Sequence, residues 1–128
     1  MNERPPIPDN VRRFVLANVG SVPFLEAALL LRGEPTVSWD AQRLSERLYV
    51  SKRRAAELLD QLEETGFTQP GIKKRTWVWG PQEPLVSVIE ELSAVYARDL
   101  VGVTQLIHSR SDSRARQFAD AFRWRKED

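Results

Sequence analysis

The stretch Trp39–Gly66 reads WDAQRLSERLYVSKRRAAELLDQLEETG, and it decides the predicted fold. Apolar residues recur in it at helical spacing in two successive runs, which predicts two helices. Tyr49 lies in the short turn between these runs, and Ser51 is a residue type that caps the start of a helix. Gly66 supplies the left-handed residue that ends the second helix. The stretch therefore predicts two helices packed across a tight turn.

The segment FTQPGIKKRTWVWG that follows predicts a β-hairpin. Its strands are expected at residues 67–69 and 74–79, because Pro70 and Gly71 form a strong turn dipeptide between them. Side chains alternate along a strand, so Arg75 is expected to share one face with the two tryptophans of the second strand.

The residues before this stretch predict two more helices, at 9–18 and 21–32, with Asp9 and Ser21 as their caps. The second of these carries LEAALLL, which is apolar on nearly every side and is typical of a buried helix. Thr36–Ser38 is expected to form a short strand whose last residue caps the next helix.

The residues after the hairpin predict a long helix, Pro84–His108, bent at Gly102, and then a short amphipathic one. The apolar stripe of these helices is too wide for an element that faces solvent on all sides. It packs on its own domain, on a second copy of the chain, or on both. The predicted dimerisation residues are Leu85, Ile89, Leu92, Tyr96, Leu100, Val103, Ile107, Phe118 and Phe122.

The composition excludes several classes of function. The chain has 128 residues, a net charge of +1, no cysteine and one histidine, His108. Disulfides, thiolate catalysis and multi-histidine or cysteine-ligated metal sites are therefore excluded. We find no glycine-rich phosphate loop and no nucleophile elbow, so we expect neither an enzyme nor a cofactor. No apolar run approaches a membrane span, and the proline-rich start is unlike a secretory signal, which predicts a cytoplasmic protein.

Basic residues cluster at the start of the second helix of the pair and in the hairpin. Long cationic side chains at a helix start can reach phosphates or guanine edges when that helix enters the major groove. The prediction depends on Lys52 and Arg54 facing outward. Glu57 leaves two interpretations open, because it can accept from cytosine or can mark a domain that has lost DNA binding.

The run LSERLYVSKRRAAELLDQLEETGF resembles the helix-turn-helix of winged-helix bacterial regulators of the MarR and PadR kind, and the tail QFADAFRWRKED resembles the end of a group of small bacterial winged-helix proteins. The likeness covers about residues 21–80. It rests on Leu44, Leu48, Val50, Ser51, Leu58, Leu59, Leu62 and Gly66. It implies a mainly α fold with a small β-hairpin wing, built as a winged helix-turn-helix followed by C-terminal dimerisation helices.

The three prolines of residues 1–8 predict a flexible arm. The resemblance implies a winged domain at 9–80 and a dimerisation or docking segment at 81–128. It also implies a homodimeric transcription regulator whose partner is double-stranded DNA, with no membrane partner. The predicted DNA-binding residues are Ser51, Lys52, Arg53, Arg54, Ala56, Glu57, Lys73, Lys74 and Arg75. The alternative is a winged-helix module that docks a protein partner through its C-terminal helices and does not bind DNA.

Overall fold

The structure is a computed structural model, and it describes residues 5–110. The described residues are mainly helical with one small antiparallel hairpin, as expected. The elements are α1 (Asp9–Asn18), α2 (Val22–Gly33), α3 (Ala41–Leu48), α4 (Lys52–Thr65), β1 (Thr68–Pro70), β2 (Trp77–Trp79) and α5 (Leu85–Arg98), and residues 100–110 are helical.

The three local signals for α2 and α4 are confirmed. The hydroxyl Oγ of Ser21 accepts from the Phe24 amide at 3.2 Å, and the Oγ of Ser51 accepts from the Arg54 amide at 3.0 Å. Each cap satisfies an amide that has no partner within its helix. Gly66 ends α4 with a φ of 97°, in the left-handed region that glycine adopts without strain.

Two predicted caps are wrong, each by one or two positions. Asp9 is the first residue of α1, and the capping position is held by Pro8, which makes no side-chain cap hydrogen bond. The cap of α3 is Asp40 rather than Ser38, because its Oδ1 accepts from the Arg43 amide at 2.8 Å. Ser38 and Asp40 are both good capping residue types, so composition alone did not separate them.

The strand expected at Thr36–Ser38 is absent from the described chain, and the pairing lies one residue further on. Trp39 forms an isolated antiparallel bridge with Trp77, in which each amide donates to the other carbonyl at 2.8 Å. The hairpin itself pairs Thr68 with Trp79 and Pro70 with Trp77. The bridge therefore joins the loop end of the hairpin to the residue just before the α3 cap.

The second strand is shorter than predicted. It begins at Trp77, and Arg75 has a φ of 60°, which takes the chain out of the extended conformation. Arg75 therefore does not share a strand face with the tryptophans. Residues 71–76 form a loop closed by the Gly71 amide, which donates to the Thr76 carbonyl at 2.8 Å.

The long C-terminal helix is interrupted at Asp99, which has a φ of −145° and a ψ of 62°. The break lies three residues before the bend expected at Gly102. The Oδ1 of Asp99 accepts from the Gly102 amide at 3.0 Å, so this side chain caps the following helical segment. An aspartate at this position thus restarts the helix, and the glycine continues it.

The core forms around α2, which packs against α3, α4 and β2, while α1 packs against α5. Phe67, between α4 and β1, is buried at the junction of these layers. Its ring stacks on Trp79 at a centroid distance of 5.3 Å and meets Phe14 of α1 edge-on at 5.8 Å. A third ring, Phe24 of α2, lies 6.4 Å away.

Among residues 5–110, no single helix is long and apolar enough to span a membrane. The helices α1 and α2 reach that length and composition only together, and a bend of 113° separates them.

Candidate nucleic-acid interface

The outward face of α4 is set by its buried stripe. Ala55, Leu58, Leu59 and Leu62 are fully buried, as the helical spacing predicted. Because α3 and α2 cover that stripe, the residues on the opposite side of α4 face solvent. They are Lys52, Arg53, Glu57, Asp60, Gln61, Glu63 and Glu64.

The first turn of α4 presents two exposed cations. Lys52 is exposed and forms no ion pair or hydrogen bond through its side chain within residues 5–110. The side chain of Arg53 is 92 % exposed, and its Nε lies 3.7 Å from Oε1 of Glu57. An exposed pair at that distance contributes little and is readily exchanged for another anion. Both cations are therefore available to a partner.

Arg54 does not face outward as predicted. Its guanidinium turns back toward α2, where Nη2 donates to Oγ of Ser21 at 3.3 Å, and Nη1 lies 3.4 Å from Oε2 of Glu57. Only about a third of the side chain is exposed. The periodicity of α4 gave the direction of the Cα–Cβ bond, but the contact with Ser21 depends on how α2 packs against α4.

The remaining predicted residues on α4 take different positions. Ser51 is exposed, and its Oγ is already the acceptor in the helix cap. Ala56 is half-buried beside the exposed face. Glu57 faces Arg53 and Arg54 together, so its carboxylate neutralises part of the basic charge of this turn.

The loop of the hairpin carries the second group of cations. Lys73, Lys74 and Arg75 are all exposed and form no ion pair within the described part of the chain. The loop has internal structure, because the hydroxyl of Thr76 donates to the Lys73 carbonyl at 2.6 Å in addition to the backbone closure at Gly71. The predicted basic hairpin is therefore a folded loop that holds three cations.

The loop end of the hairpin is fixed to the helices. Nε1 of Trp77 donates to Oε1 of Glu63 on α4 at 2.6 Å, next to the backbone bridge with Trp39. The Arg47 guanidinium of α3 lies 5.6 Å from the centroid of the Trp39 ring. These contacts couple the loop to both helices of the pair, so the two cation groups belong to one connected body.

Arg47 is committed elsewhere and does not extend the basic surface. Its Nη2 donates to Oε2 of Glu34 at 2.7 Å, and this hydrogen bond lowers the pKa of the Glu34 carboxyl. Arg32 of α2 is likewise bound to Glu90 of α5, and that hydrogen bond lowers the Glu90 pKa. Both pairs join elements of the fold.

Charge is distributed unevenly around the helix pair and the hairpin. Six cations lie at the start of α4 and in the loop: Lys52, Arg53, Arg54, Lys73, Lys74 and Arg75. One carboxylate, Glu57, lies next to the cations of α4. The later turns of α4 are acidic on their exposed face, through Asp60 and Glu64. We call the exposed cations at the start of α4 (Lys52, Arg53) and in the loop (Lys73, Lys74, Arg75) the basic surface.

The predicted dimerisation residues are divided by the fold. Ile89, Leu92, Val103 and Ile107 are buried in the core of the single chain. Leu85 and Tyr96 are half-buried, and burial, followed by the charge of Glu26, raises the pKa of the Tyr96 phenol. Leu100 is exposed, while Phe118 and Phe122 lie outside the described residues. The homodimer stays a prediction, and the four core residues serve intramolecular packing.

Two exposed residues, in the turn before α4 and in the hairpin loop, were not among the residues predicted to form the site. Tyr49 has a φ of 58° in the turn between α3 and α4 and is 93 % exposed, and Ile72 at the loop is fully exposed. The signal was available, since each is a large apolar or aromatic residue at a predicted turn position, where small polar residues are usual.

No family model matches the chain, and neither the curated proteins nor the solved structures include a significant match. Among residues 5–110 no group of three or more histidine, aspartate or glutamate side chains is arranged to hold a metal ion. Proposals about function therefore depend on the geometry and charge of the chain itself.

Proposed function

We propose that this protein is a DNA-binding transcription regulator of the winged-helix kind, which contacts duplex DNA through the basic surface. One observation carries the proposal: two groups of exposed cations, at the start of α4 and in the hairpin loop, lie on one connected body. Phosphates attract such groups, and duplex DNA presents phosphates on both sides of a groove.

The order of elements supports the proposal. The helix α2, the paired residue Trp39, the helix pair α3 and α4, and the hairpin follow each other in the sequence expected for a winged helix-turn-helix. In such an arrangement the second helix of the pair enters the groove with its N-terminal residues leading. The N-terminus of α4 also attracts an anion through its backbone dipoles.

The orientation of Arg54 changes which residues make the contacts. Since Arg54 is held by Ser21 and Glu57, the first turn contributes Lys52 and Arg53, and the loop contributes the other cations. Each phosphate that a cation neutralises steepens the dependence of binding on salt, by about 0.9 in the slope of log K against log salt concentration.

The test is a salt titration of binding to a pool of duplexes, for the full chain and for a Lys52→Ala/Lys74→Ala variant. We expect the variant to bind more weakly, with a slope smaller by about 1.8, because it removes one contact from each cation group. Both side chains are exposed and unpaired within residues 5–110, so the variant should fold normally.

The matched control is Arg12→Ala/Arg13→Ala, which removes two exposed cations from α1 and changes the net charge by the same amount. It should leave the slope unchanged. Equal slopes for the full chain and the Lys52→Ala/Lys74→Ala variant would reject DNA binding by the basic surface. Equal decreases of the salt slope in the two double variants would show only a non-specific attraction between DNA and the positive charge of the chain.

A second candidate function is docking of a protein partner on α4. It is favoured by the acidic later turns of that helix, where Asp60 and Glu64 are exposed, and by the withdrawal of Arg54. Photo-crosslinking residues placed at Asp60 or Lys74 separate the two functions. Crosslinks to nucleic acid from position 74 support the regulator, whereas crosslinks to one defined protein from position 60 support the docking module.

A further inference from the structure

Among residues 5–110, Ile72 is the most exposed large apolar side chain. It is 107 % exposed at the loop, directly before Lys73, Lys74 and Arg75. Apart from Tyr49, the other exposed large apolar residues have between 36 % and 54 % of their surface accessible. An isoleucine with this exposure makes no contribution to the core, and three cations follow it directly in the sequence.

The loop is built to hold this side chain away from the body. The Gly71 amide donates to the Thr76 carbonyl at 2.8 Å, and the Thr76 hydroxyl donates to the Lys73 carbonyl at 2.6 Å. A Cβ at Gly71 would lie 2.2 Å from the Thr76 Oγ1, so a larger residue there would displace the Thr76 hydroxyl from its position in the loop. Arg75, with its positive φ, completes the turn. Two internal hydrogen bonds therefore stabilise the conformation in which Ile72 is exposed.

A short loop that exposes one isoleucine next to three cations matches the chemistry of the DNA minor groove. Phosphates line both edges of that groove, and apolar side chains such as isoleucine can wedge between base steps at its floor. We propose that loop 71–76 enters the minor groove, that Ile72 inserts at a base step and kinks the duplex, and that the neighbouring cations contact the phosphates on either side. This inference rests on the proposed function and adds a specific contact to it.

A membrane surface fits these observations less well. A single apolar side chain buries too little area for stable attachment, and peripheral segments that lie on membranes present a whole apolar face. The described chain offers one isoleucine at this loop, between a glycine and three cations. Duplex DNA requires no more than one wedge, because the energy of unstacking is repaid by the added phosphate contacts.

The experiment uses the full chain, Ile72→Ala, and Ile72→Leu as a variant that retains a wedge. The matched control is Val101→Ala, which shortens another exposed apolar residue outside the hairpin. Binding is followed by fluorescence anisotropy, bending by energy transfer between dyes at the duplex ends, and unstacking by 2-aminopurine placed at a TA step, because pyrimidine–purine steps kink readily. Vesicles of anionic phospholipid serve as the second partner.

We expect Ile72→Ala to bind on the order of tenfold more weakly and to lose both the bend and the 2-aminopurine signal. Ile72→Leu and Val101→Ala should behave like the full chain. If the full chain and Ile72→Ala bind and bend DNA equally, the proposed insertion of Ile72 is wrong, and the proposed DNA-binding function is unaffected. If the full chain binds no duplex, both proposals fail. Loss of vesicle binding in Ile72→Ala, without loss of DNA bending, would assign the loop to a membrane and overturn the wedge.

Discussion

Glu57 gives the sharpest prediction, because it is the one carboxylate among the cations at the start of α4. Its two oxygens lie 3.7 Å and 3.4 Å from the guanidinium nitrogens of Arg53 and Arg54. Glu57→Gln would remove a negative charge from among these cations and both arginine ion pairs, leaving Arg54 its contact with Ser21. Two unit charges 4 Å apart in water interact by about 1 kcal/mol, which corresponds to about a fivefold change in Kd.

We therefore expect Glu57→Gln to bind duplex DNA about fivefold more tightly at low salt, with a smaller gain at high salt as screening increases. If Arg54 reaches a phosphate once released, the salt slope also grows by about 0.9. Stability should change by less than about 1 kcal/mol, since exposed pairs contribute little. Anisotropy with a labelled duplex measures the affinity, and urea unfolding measures the stability.

Glu91→Gln is the matched control, because Glu91 is an exposed carboxylate on α5 whose hydrogen bond with Asn10 a glutamine can keep. It should leave DNA affinity unchanged. The reasoning is refuted if Glu57→Gln binds no more tightly than the unaltered chain while folding normally. That result would mean that the first turn of α4 does not approach phosphates.

Three further predictions concern the fold. Phe67→Ala removes the ring at the junction of three aromatic contacts and should cost about 3–5 kcal/mol in urea unfolding; a loss below about 1 kcal/mol would contradict the packing described. Asp40→Ala should cost about 1 kcal/mol as the true cap of α3, whereas Ser38→Ala should be neutral, and the reverse order would restore the original cap prediction. The Glu90 carboxyl has a lowered pKa in the folded chain because Arg32 donates to it, so the ionised pair stabilises the fold above the usual carboxyl pKa and is lost as pH falls through the lowered value. Glu90→Gln should therefore lower the thermal midpoint near neutral pH and not in strong acid; an equal decrease at both would exclude the ion pair as the cause.

Local signals in the sequence were sufficient to predict much of the helical framework. Ser21, Ser51 and Gly66 each act within three or four residues of their position, so their residue type and spacing determine the helix ends. The buried stripe of α4 also follows directly from helical periodicity.

Features that depend on distant residues were not predictable in the same way. The bridge between Trp39 and Trp77 joins segments 38 positions apart, and no local pattern marks its register. Arg54 turns inward because Ser21 of another helix offers an acceptor. Arg75 adopts a positive φ that its residue type disfavours, inside a loop closed by the hydrogen bond between Gly71 and Thr76.

Phe67 has one more consequence, for how the molecule opens. Its ring joins α1, α2 and the hairpin, and its carbonyl accepts from the Gly80 amide at 3.0 Å. Detaching the hairpin would expose that ring to water, so the hairpin and the helices should open as a single cooperative unit. In hydrogen exchange, the Trp39 and Trp77 amides should therefore exchange as slowly as the most protected helical amides of the core.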